Sequence, residues 1–191
     1  MPSFDLKGIK VATYTNTSGT VTYSNATSAG GAMSAQIEVR FAEGRLYAES
    51  KLAEYMKLAT GGTISLAVKD IPATAQNLMF GCTVDSSTSA ITYSALDVSK
   101  YVGCAFYAAD QVNGTTKYTC VFIPKCMFGV PAMNYNTKGE NITFNTPTTT
   151  GEFLPDDSSA EKLLVVETVN TESAAQTWVN TKLNVSAQTE E

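Results

Sequence analysis

Residues 101–124 read YVGCAFYAADQVNGTTKYTCVFIP, which is two apolar runs separated by Asn113-Gly114. An Asn-Gly pair between two such runs is the strongest short-range signal for a β-hairpin, because both residues tolerate the positive φ angles of a type I′ turn. A loop of two residues also sets the register of the strands. The predicted pairs are Val112 with Thr115, Phe106 with Val121, Cys104 with Ile123, Tyr107 with Cys120 and Ala105 with Phe122. This stretch therefore predicts a long antiparallel hairpin.

Both faces of this predicted hairpin are apolar. An antiparallel hairpin in a monomer normally leaves one face in water. Two interpretations stay open: the hairpin lies between two layers of the same chain, or its second face is buried by another subunit. Under the second interpretation the candidate inter-subunit face consists of Tyr107, Tyr118, Cys120 and Phe122.

Most of the remaining chain is predicted to form short strands. The clearest is Met33–Phe41, in which Ala35, Ile37 and Val39 alternate with polar residues, as in a half-buried strand. Glu43-Gly44 is predicted to turn the chain into a separate strand. The other strands are predicted at Gly8–Thr15, Thr20–Tyr23, Arg45–Ala48, Thr63–Val68, Ala90–Tyr93, Gly139–Thr150 and Lys162–Val169.

Two short helices complete the pattern. Pro72–Phe80 is predicted to be helical, with Pro72 in the first turn, Asp70 as the N-terminal cap and Gly81 as the C-terminal stop. From Thr171 to Leu183 the apolar residues recur every four positions, which predicts an amphipathic helix capped by Asn170 or Thr171. The predicted fold is mainly β, a β-sandwich or partly closed barrel with one short internal α-helix and a C-terminal α-helix.

The length of 191 residues fits a single domain. We expect this domain to span residues 1–183, with residues 1–7 as an N-terminal arm and residues 184–191 as a flexible acidic C-terminal tail. The N-terminal residues lack the basic start and apolar run of a signal peptide, and no apolar segment approaches membrane-spanning length. We therefore expect no membrane association and folding in a cytoplasm.

The composition argues against catalysis and nucleic-acid binding. The chain contains no histidine, which removes the commonest general base and metal ligand. With 13 basic and 18 acidic residues the net charge is −5, so phosphate neutralisation cannot provide affinity for DNA or RNA. Cys82, Cys104, Cys120 and Cys126 form no CxxC pair and are interpreted as small buried hydrophobes. Asp156-Asp157 lacks a third ligand at metal spacing and is interpreted as a solvated loop. No enzyme activity, metal or cofactor is predicted.

Several segments resemble one family of virion proteins. They are Arg45–Ser50 (RLYAES), Asp70–Gly81 (DIPATAQNLMFG), the hairpin Tyr101–Pro124, Gly139–Phe153 (GENITFNTPTTTGEF), the Asp156-Asp157 loop and the helix that contains Trp178. In this order they resemble the major tail proteins of siphophages and related prophages, the subunits that build the tail tube. The resemblance runs from about residue 8 to residue 183.

The resemblance implies a β-sandwich flanked by a helix and a structural function in the virion tail. Subunits of this kind form rings, usually of six, which stack into a hollow tube through which phage DNA passes at ejection without specific binding. The implied partners are further copies of the chain, the tape measure protein, the tail terminator and the distal tail protein. Assembly in the host cytoplasm is implied, and the net acidic charge suits a conduit that must not adsorb DNA.

The polar side of the Met33–Phe41 strand supplies candidates for the lumen of such a tube, namely Glu38, Arg40 and Glu43. An ordinary solvated face is the alternative for these three residues. For the whole chain the alternative is a monomeric β-sandwich binding module, such as an adhesin or a tail decoration protein. A tube from a contractile tail is a variant of the first hypothesis.

Overall fold

The computed structural model describes residues 3–133, 135–137 and 144–185. Within these ranges the fold is mainly β, as the period-two patterns predict, with ten strands and two helices. The strands are β1 (Ser3–Thr17), β2 (Thr20–Ser28), β3 (Ala32–Ala48), β4 (Lys51–Val68), β5 (Thr83–Val84), β6 (Ile91–Thr92), β7 (Val102–Val112), β8 (Thr115–Phe128), β9 (Thr148–Phe153) and β10 (Val165–Val169). The helices are α1 (Ala73–Phe80) and α2 (Glu172–Lys182).

Eight of these strands form one antiparallel sheet in the order β2-β1-β7-β8-β9-β4-β3, and β10 also pairs with β8. Strand β8 pairs with β7 along one edge. Along its other edge, β8 pairs first with β10 and then with β9. Strands β3 and β4 then pack back over β1, β7 and β8, and their apolar residues share one core. The order of the sheet is open, with β2 and β3 at its two ends.

The predicted hairpin is β7–β8, and its register is confirmed. Val112 pairs with Thr115, Phe106 with Val121, Cys104 with Ile123, Tyr107 with Cys120 and Ala105 with Phe122. Asn113 and Gly114 have φ angles of 51° and 78°, both positive as a type I′ turn requires. The local turn chemistry was therefore sufficient to align two long strands.

The hairpin lies between two layers of the same chain. One face, with Cys104, Phe106 and Ile123, packs against β1, β3, β4 and α1. The opposite face packs against helix α2 through Ala175, Val179 and Leu183. The first of the two open interpretations is therefore the observed one, and α2 supplies the second layer.

The β3–β4 hairpin differs from the prediction. The chain does not turn at Glu43-Gly44, because β3 continues without a break to Ala48. The turn lies at Glu49-Ser50, whose φ angles are 50° and 63°, and β4 begins at Lys51 rather than at Thr63. Two predicted short strands are thus parts of one long hairpin.

Other boundaries also move. Residues from Ser3 onward pair with β7, so the predicted N-terminal arm of residues 1–7 is largely the start of β1. Of the predicted strand at residues 139–150, residues 139–143 lie outside the described ranges, residues 144–147 are not in a strand, and β9 begins at Thr148. Strand β10 begins at Val165 rather than Lys162. The predicted tail lies, from residue 186 onward, outside the described residues.

Both predicted helices are present. Helix α1 ends at Gly81, which has the left-handed φ of 74°, but Pro72 is its N-cap and no side chain, including that of Asp70, caps it. Helix α2 is capped by Thr171, whose Oγ1 accepts a hydrogen bond of 3.2 Å from the Ala174 N–H.

All four cysteines are buried and free, as predicted. Burial raises the pKa of the Cys104 thiol to about 12, which keeps it protonated and unreactive.

Candidate assembly surface

The distal half of the β3–β4 hairpin extends beyond the core. We call residues 41–59 the hairpin arm. They are paired along almost their whole length, from Phe41 with Ala59 to Ala48 with Lys51, and none of them is buried. An isolated two-stranded ribbon is marginally stable in water. The arm is therefore a secondary-structure element without a tertiary partner inside the described chain.

One face of the arm is charged and aromatic. Glu43 lies opposite Lys57, with 3.3 Å between the carboxylate oxygen and Nζ, and Arg45 lies over the ring of Tyr55 at 5.6 Å. Lys57 also contacts the face of the Phe41 ring at 4.5 Å. A hydrogen bond from Tyr55 and another from Lys57 hold the pKa of Glu43 below its usual value. These cross-strand pairs stabilise the ribbon in water.

The opposite face, which we call the outer face of the arm, is apolar except for Glu54 and Lys51 toward the tip. Its pairs are Ala42 with Leu58, Gly44 with Met56, Leu46 with Glu54 and Ala48 with Lys51. Leu46, Met56 and Leu58 are 57%, 70% and 62% exposed. Single exposed hydrophobic residues are normal in proteins, but a contiguous row on a paired ribbon is typical of an interaction surface.

The hairpin reverses its polarity where the arm leaves the body. At the base, Ala35, Ile37 and Val39 pack against the core while Gln36, Glu38 and Arg40 face solvent. Strand β4 has one additional residue, Thr60, between the pairs Arg40–Gly61 and Phe41–Ala59. In the part of the arm next to this bulge, the core-facing side of the ribbon carries Glu43, Arg45 and Lys57, and the solvent-facing side carries Leu46, Met56 and Leu58. Toward the tip both sides are mixed, since Leu52 pairs with Tyr47 on the first side and Glu54 pairs with Leu46 on the second. A ribbon that simply projected into water would have no physical reason to place its apolar residues there.

The predicted lumen residues do not share one face. Glu38 and Arg40 lie on the solvent side of the β3 base, and Arg40 Nη2 is 3.3 Å from Glu152 Oε2 on β9. Glu43 lies an odd number of residues from Arg40, so strand alternation places it on the other side of the ribbon, where it contacts Lys57. The grouping of Glu43 with the other two is therefore wrong, and the orientation of Glu38 and Arg40 toward a lumen stays a prediction.

The predicted inter-subunit face of the β7–β8 hairpin is instead an internal core. Tyr107, Cys120 and Phe122 are buried beneath α2, and Tyr118 is half-buried beside them. The Tyr107 hydroxyl donates a hydrogen bond of 3.2 Å to Glu172 at the start of α2. The prediction that the second face is apolar is confirmed, but the C-terminal helix buries this face and not a neighbouring subunit.

The Asp156-Asp157 loop is also more ordered than predicted. Asp156 is buried, and its Oδ1 accepts hydrogen bonds from the Ser158 and Lys162 N–H groups at 3.3 and 2.8 Å. Asp157 bonds Lys125 and the Tyr14 hydroxyl, each at 2.8 Å. Asp156 therefore holds the connection between β9 and β10 in its conformation, and Asp157 attaches that connection to β1 and β8.

In residues 3–133, 135–137 and 144–185, no three His, Cys, Asp or Glu side chains are grouped so that they could hold a metal ion. No helix in the described part of the chain is long and apolar enough to cross a membrane.

The arm was missed by sequence reasoning for two local reasons. Residues 51–59 (KLAEYMKLA) are mostly strong helix formers, and Glu49-Ser50 is not a usual pair for a turn with two positive φ angles. The usable signal was the alternation of Phe41, Glu43, Arg45 and Tyr47, which continues past the supposed turn at Gly44.

Comparison with known proteins adds no family assignment. No protein-family model matches the chain, and no curated protein is significantly similar to it.

Proposed function

We propose that this protein is a self-assembling structural subunit whose hairpin arm is covered by another copy of the chain. The observation that carries the proposal is the outer face of the arm, where Leu46, Met56 and Leu58 form an exposed row on the side away from the core. Completely burying a side chain of this size contributes about 1.5–3 kcal/mol. Three such residues on one ribbon provide a substantial driving force for association.

More particularly, we propose a major tail-tube subunit of a siphophage or related prophage. The supporting sequence is the resemblance described above, and one of its segments, Arg45–Ser50, forms the β3 side of the arm tip and its turn. In this proposal the subunits form rings, hexameric as is usual in the family, that stack into a hollow tube for phage DNA. Further copies, the tape measure protein, the tail terminator and the distal tail protein are the proposed partners, and the virion tail is the proposed location.

The low and acidic charge supports the same proposal. A net charge of −5 disfavours adsorption of DNA that has to slide through a tube. The buried, protonated cysteines and the absence of histidine from the whole sequence give the chain no obvious catalytic group. A structural subunit needs none.

The test is electron microscopy of the purified protein over a range of concentrations, together with the variant Leu58→Glu. We expect rings or hollow tubes for the unaltered chain. In the variant we expect the concentration needed for polymers to rise at least tenfold, since about 1.4 kcal/mol per contact corresponds to a factor of ten.

The matched control is Leu96→Glu, which places the same charge at a leucine that is 88% exposed outside the arm. It should assemble like the unaltered chain. A protein that stays monomeric at every concentration and salt would contradict the proposal and favour a monomeric binding module.

A further inference from the structure

The turn of the β7–β8 hairpin contains a chemically labile pair of residues. Asn113 is the one asparagine of the sequence that is followed by glycine. Asparagine side-chain amides are thermally labile. The next backbone nitrogen attacks the amide carbon with least hindrance when its own residue has no side chain. The pair that sets the register of the hairpin is therefore also the pair most prone to lose its amide.

Solvent has free access to this pair. Asn113 and Gly114 are both exposed, and they lie at the end of the hairpin that is farthest from helix α2. A Cβ placed on Gly114 would meet no atom of a non-neighbouring residue within 4 Å. Water can therefore reach the side-chain amide and the backbone carbonyl of Asn113.

The closed turn nevertheless keeps the reacting atoms apart. The reaction joins the Gly114 nitrogen to Cγ of Asn113 in a five-membered ring, so this nitrogen has to lie on the same side of the Cα–C bond as Cβ. The φ angles of 51° and 78° are those of a type I′ turn, in which ψ of the first residue is about 30°. At that ψ the nitrogen lies almost opposite Cβ. The ring can therefore close only after a rotation of nearly half a turn, which opens the hairpin tip.

Opening of the tip does not require unfolding of the hairpin. The two pairs nearest the turn are Val112 with Thr115 and Gln111 with Thr116, and none of these four residues is buried. Phe106, farther along the same strand, is buried in the first core. Backbone pairs with few apolar contacts open at a lower free energy than core pairs. We therefore expect the tip to open while the core pairs of β7–β8 stay closed.

We propose that Asn113 is a self-modification site that the closed turn protects, and that it is converted to aspartate or isoaspartate when the tip opens. The Gly114 nitrogen loses its proton to solvent and bonds to Cγ of Asn113, and Nδ2 takes up a proton and leaves as ammonia. Water then opens the resulting succinimide. Cleavage of the new N–Cγ bond gives aspartate, and cleavage of the original peptide bond gives isoaspartate. Water is consumed and ammonia is released, and no other reactant is needed.

Isoaspartate changes the turn itself. Its main chain runs through Cβ and Cγ, so one additional atom separates residues 113 and 114, and the free carboxylate adds a negative charge. A two-residue type I′ loop depends on the normal backbone length. The pair Val112–Thr115 should therefore separate, whereas Phe106 stays opposite Val121 because the core holds both.

The first test measures ammonia release and maps the modified peptide by mass spectrometry. The purified chain is incubated at mildly alkaline pH, folded or in guanidinium chloride. We expect conversion of Asn113 to be about tenfold faster, or more, in the denatured chain, since an opening that costs about 1.4 kcal/mol lowers the reactive population tenfold. Val112→Gly weakens the strand beside the turn. It should accelerate conversion in the folded protein and leave the rate in guanidinium chloride unchanged.

Three results would overturn the proposal. An Asn113 that stays intact in the denatured chain is not a labile site. Equal rates in the folded and the denatured chain would mean that the closed turn gives no protection. A folded Val112→Gly protein that reacts no faster than the unaltered chain would mean that opening of the tip does not control the reaction.

The matched control is Asn113→Gly, which removes the amide but keeps a pair, Gly-Gly, that a type I′ turn favours. It should melt with the unaltered chain and release no ammonia from this position. Hydrogen exchange of both proteins after incubation then tests the structural consequence. We expect the unaltered chain to lose protection at Val112 and Thr115 but not at Phe106, and the control to keep all three. Loss of protection along the whole hairpin would contradict a change confined to the tip.

Discussion

At the scale of single residues, Lys125 shows how the loop after β9 is held. Its side chain is only 13% exposed, its Nζ bonds Asp157 at 2.8 Å, and it lies over the rings of Tyr14 and Tyr101 at 5.5 and 4.8 Å. The Tyr14 hydroxyl donates to the same carboxylate at 2.8 Å and accepts from the Asp157 N–H at 3.0 Å. One aspartate thus connects the loop with β1 and β8.

This cluster predicts a pH dependence of stability. Hydrogen bonds from Lys125, then Tyr14, lower the pKa of Asp157 from its ordinary value of 3.8. A carboxyl group with a lowered folded-state pKa stabilises the fold above its unfolded pKa, and that stabilisation is lost as the pH falls through the folded value. We expect Asp157→Asn to lower the melting temperature at pH 7 and to have a smaller effect near pH 2.

The measurement is thermal unfolding of both proteins across this range. The matched control is Asp97→Asn, which alters a half-buried aspartate that accepts a hydrogen bond from the Ser94 N–H within its own loop. An effect of Asp157→Asn that stayed constant from pH 7 to pH 2 would mean that the ionised carboxylate is not what stabilises the loop.

At the scale of elements, helix α2 explains why both faces of the β7–β8 hairpin are apolar. The hairpin has two apolar faces, and one helix of eleven residues covers the second face through Ala175 and Val179, together with Leu183 at its C-cap. Trp178 Nε1 donates a hydrogen bond of 2.6 Å to Glu167 on β10, which attaches the helix to the neighbouring strand. The helix and the hairpin therefore form one unit within a single subunit.

A charge at Phe122 should consequently unfold the protein rather than only prevent association. Phe122 is buried and contacts the Tyr23 ring edge-on at 5.4 Å between centroids. We expect Phe122→Glu to lower the free energy of unfolding by about 3 kcal/mol or more, because a cavity and a buried charge add together. The measurement is denaturant unfolding at a concentration where the unaltered chain is monomeric.

The comparison for this prediction is Leu58→Glu, which should leave the monomer's unfolding free energy within about 0.5 kcal/mol, as exposed substitutions usually do. A Phe122→Glu protein with unaltered unfolding but blocked assembly would restore the inter-subunit interpretation of this face.

At the scale of the whole molecule, the chain divides into a packed body and an arm that packs against none of the described core. The body contains two apolar cores on the two sides of β7–β8. The arm is paired to itself, and next to the body its polarity is the reverse of that of the hairpin base from which it extends. Stability and assembly should therefore be separable functions of different parts of the chain.

Replacing residues 41–60 by Asn-Gly tests this separation. Arg40 pairs with Gly61, so a two-residue type I′ loop can join them directly. We expect the melting temperature to change by less than about 4 °C, which corresponds to about 1 kcal/mol in a protein of this size. We expect polymers to be absent by electron microscopy at concentrations where the unaltered chain forms them. A shortened protein that still forms tubes would show that the arm is dispensable.

The sequence by itself determined what depends on neighbouring residues. The register of β7–β8 follows from Asn113-Gly114, since a two-residue turn aligns every later pair, and the buried face of α2 follows from the spacing of Ala175, Val179 and Leu183. The tertiary structure alone decided that α2 covers Phe122, because an apolar face does not specify which apolar surface meets it. It also decided that KLAEYMKLA is a strand, because pairing with β3 overrides the helical preference of those residues. The exposed outer face of the arm emerges only from that pairing.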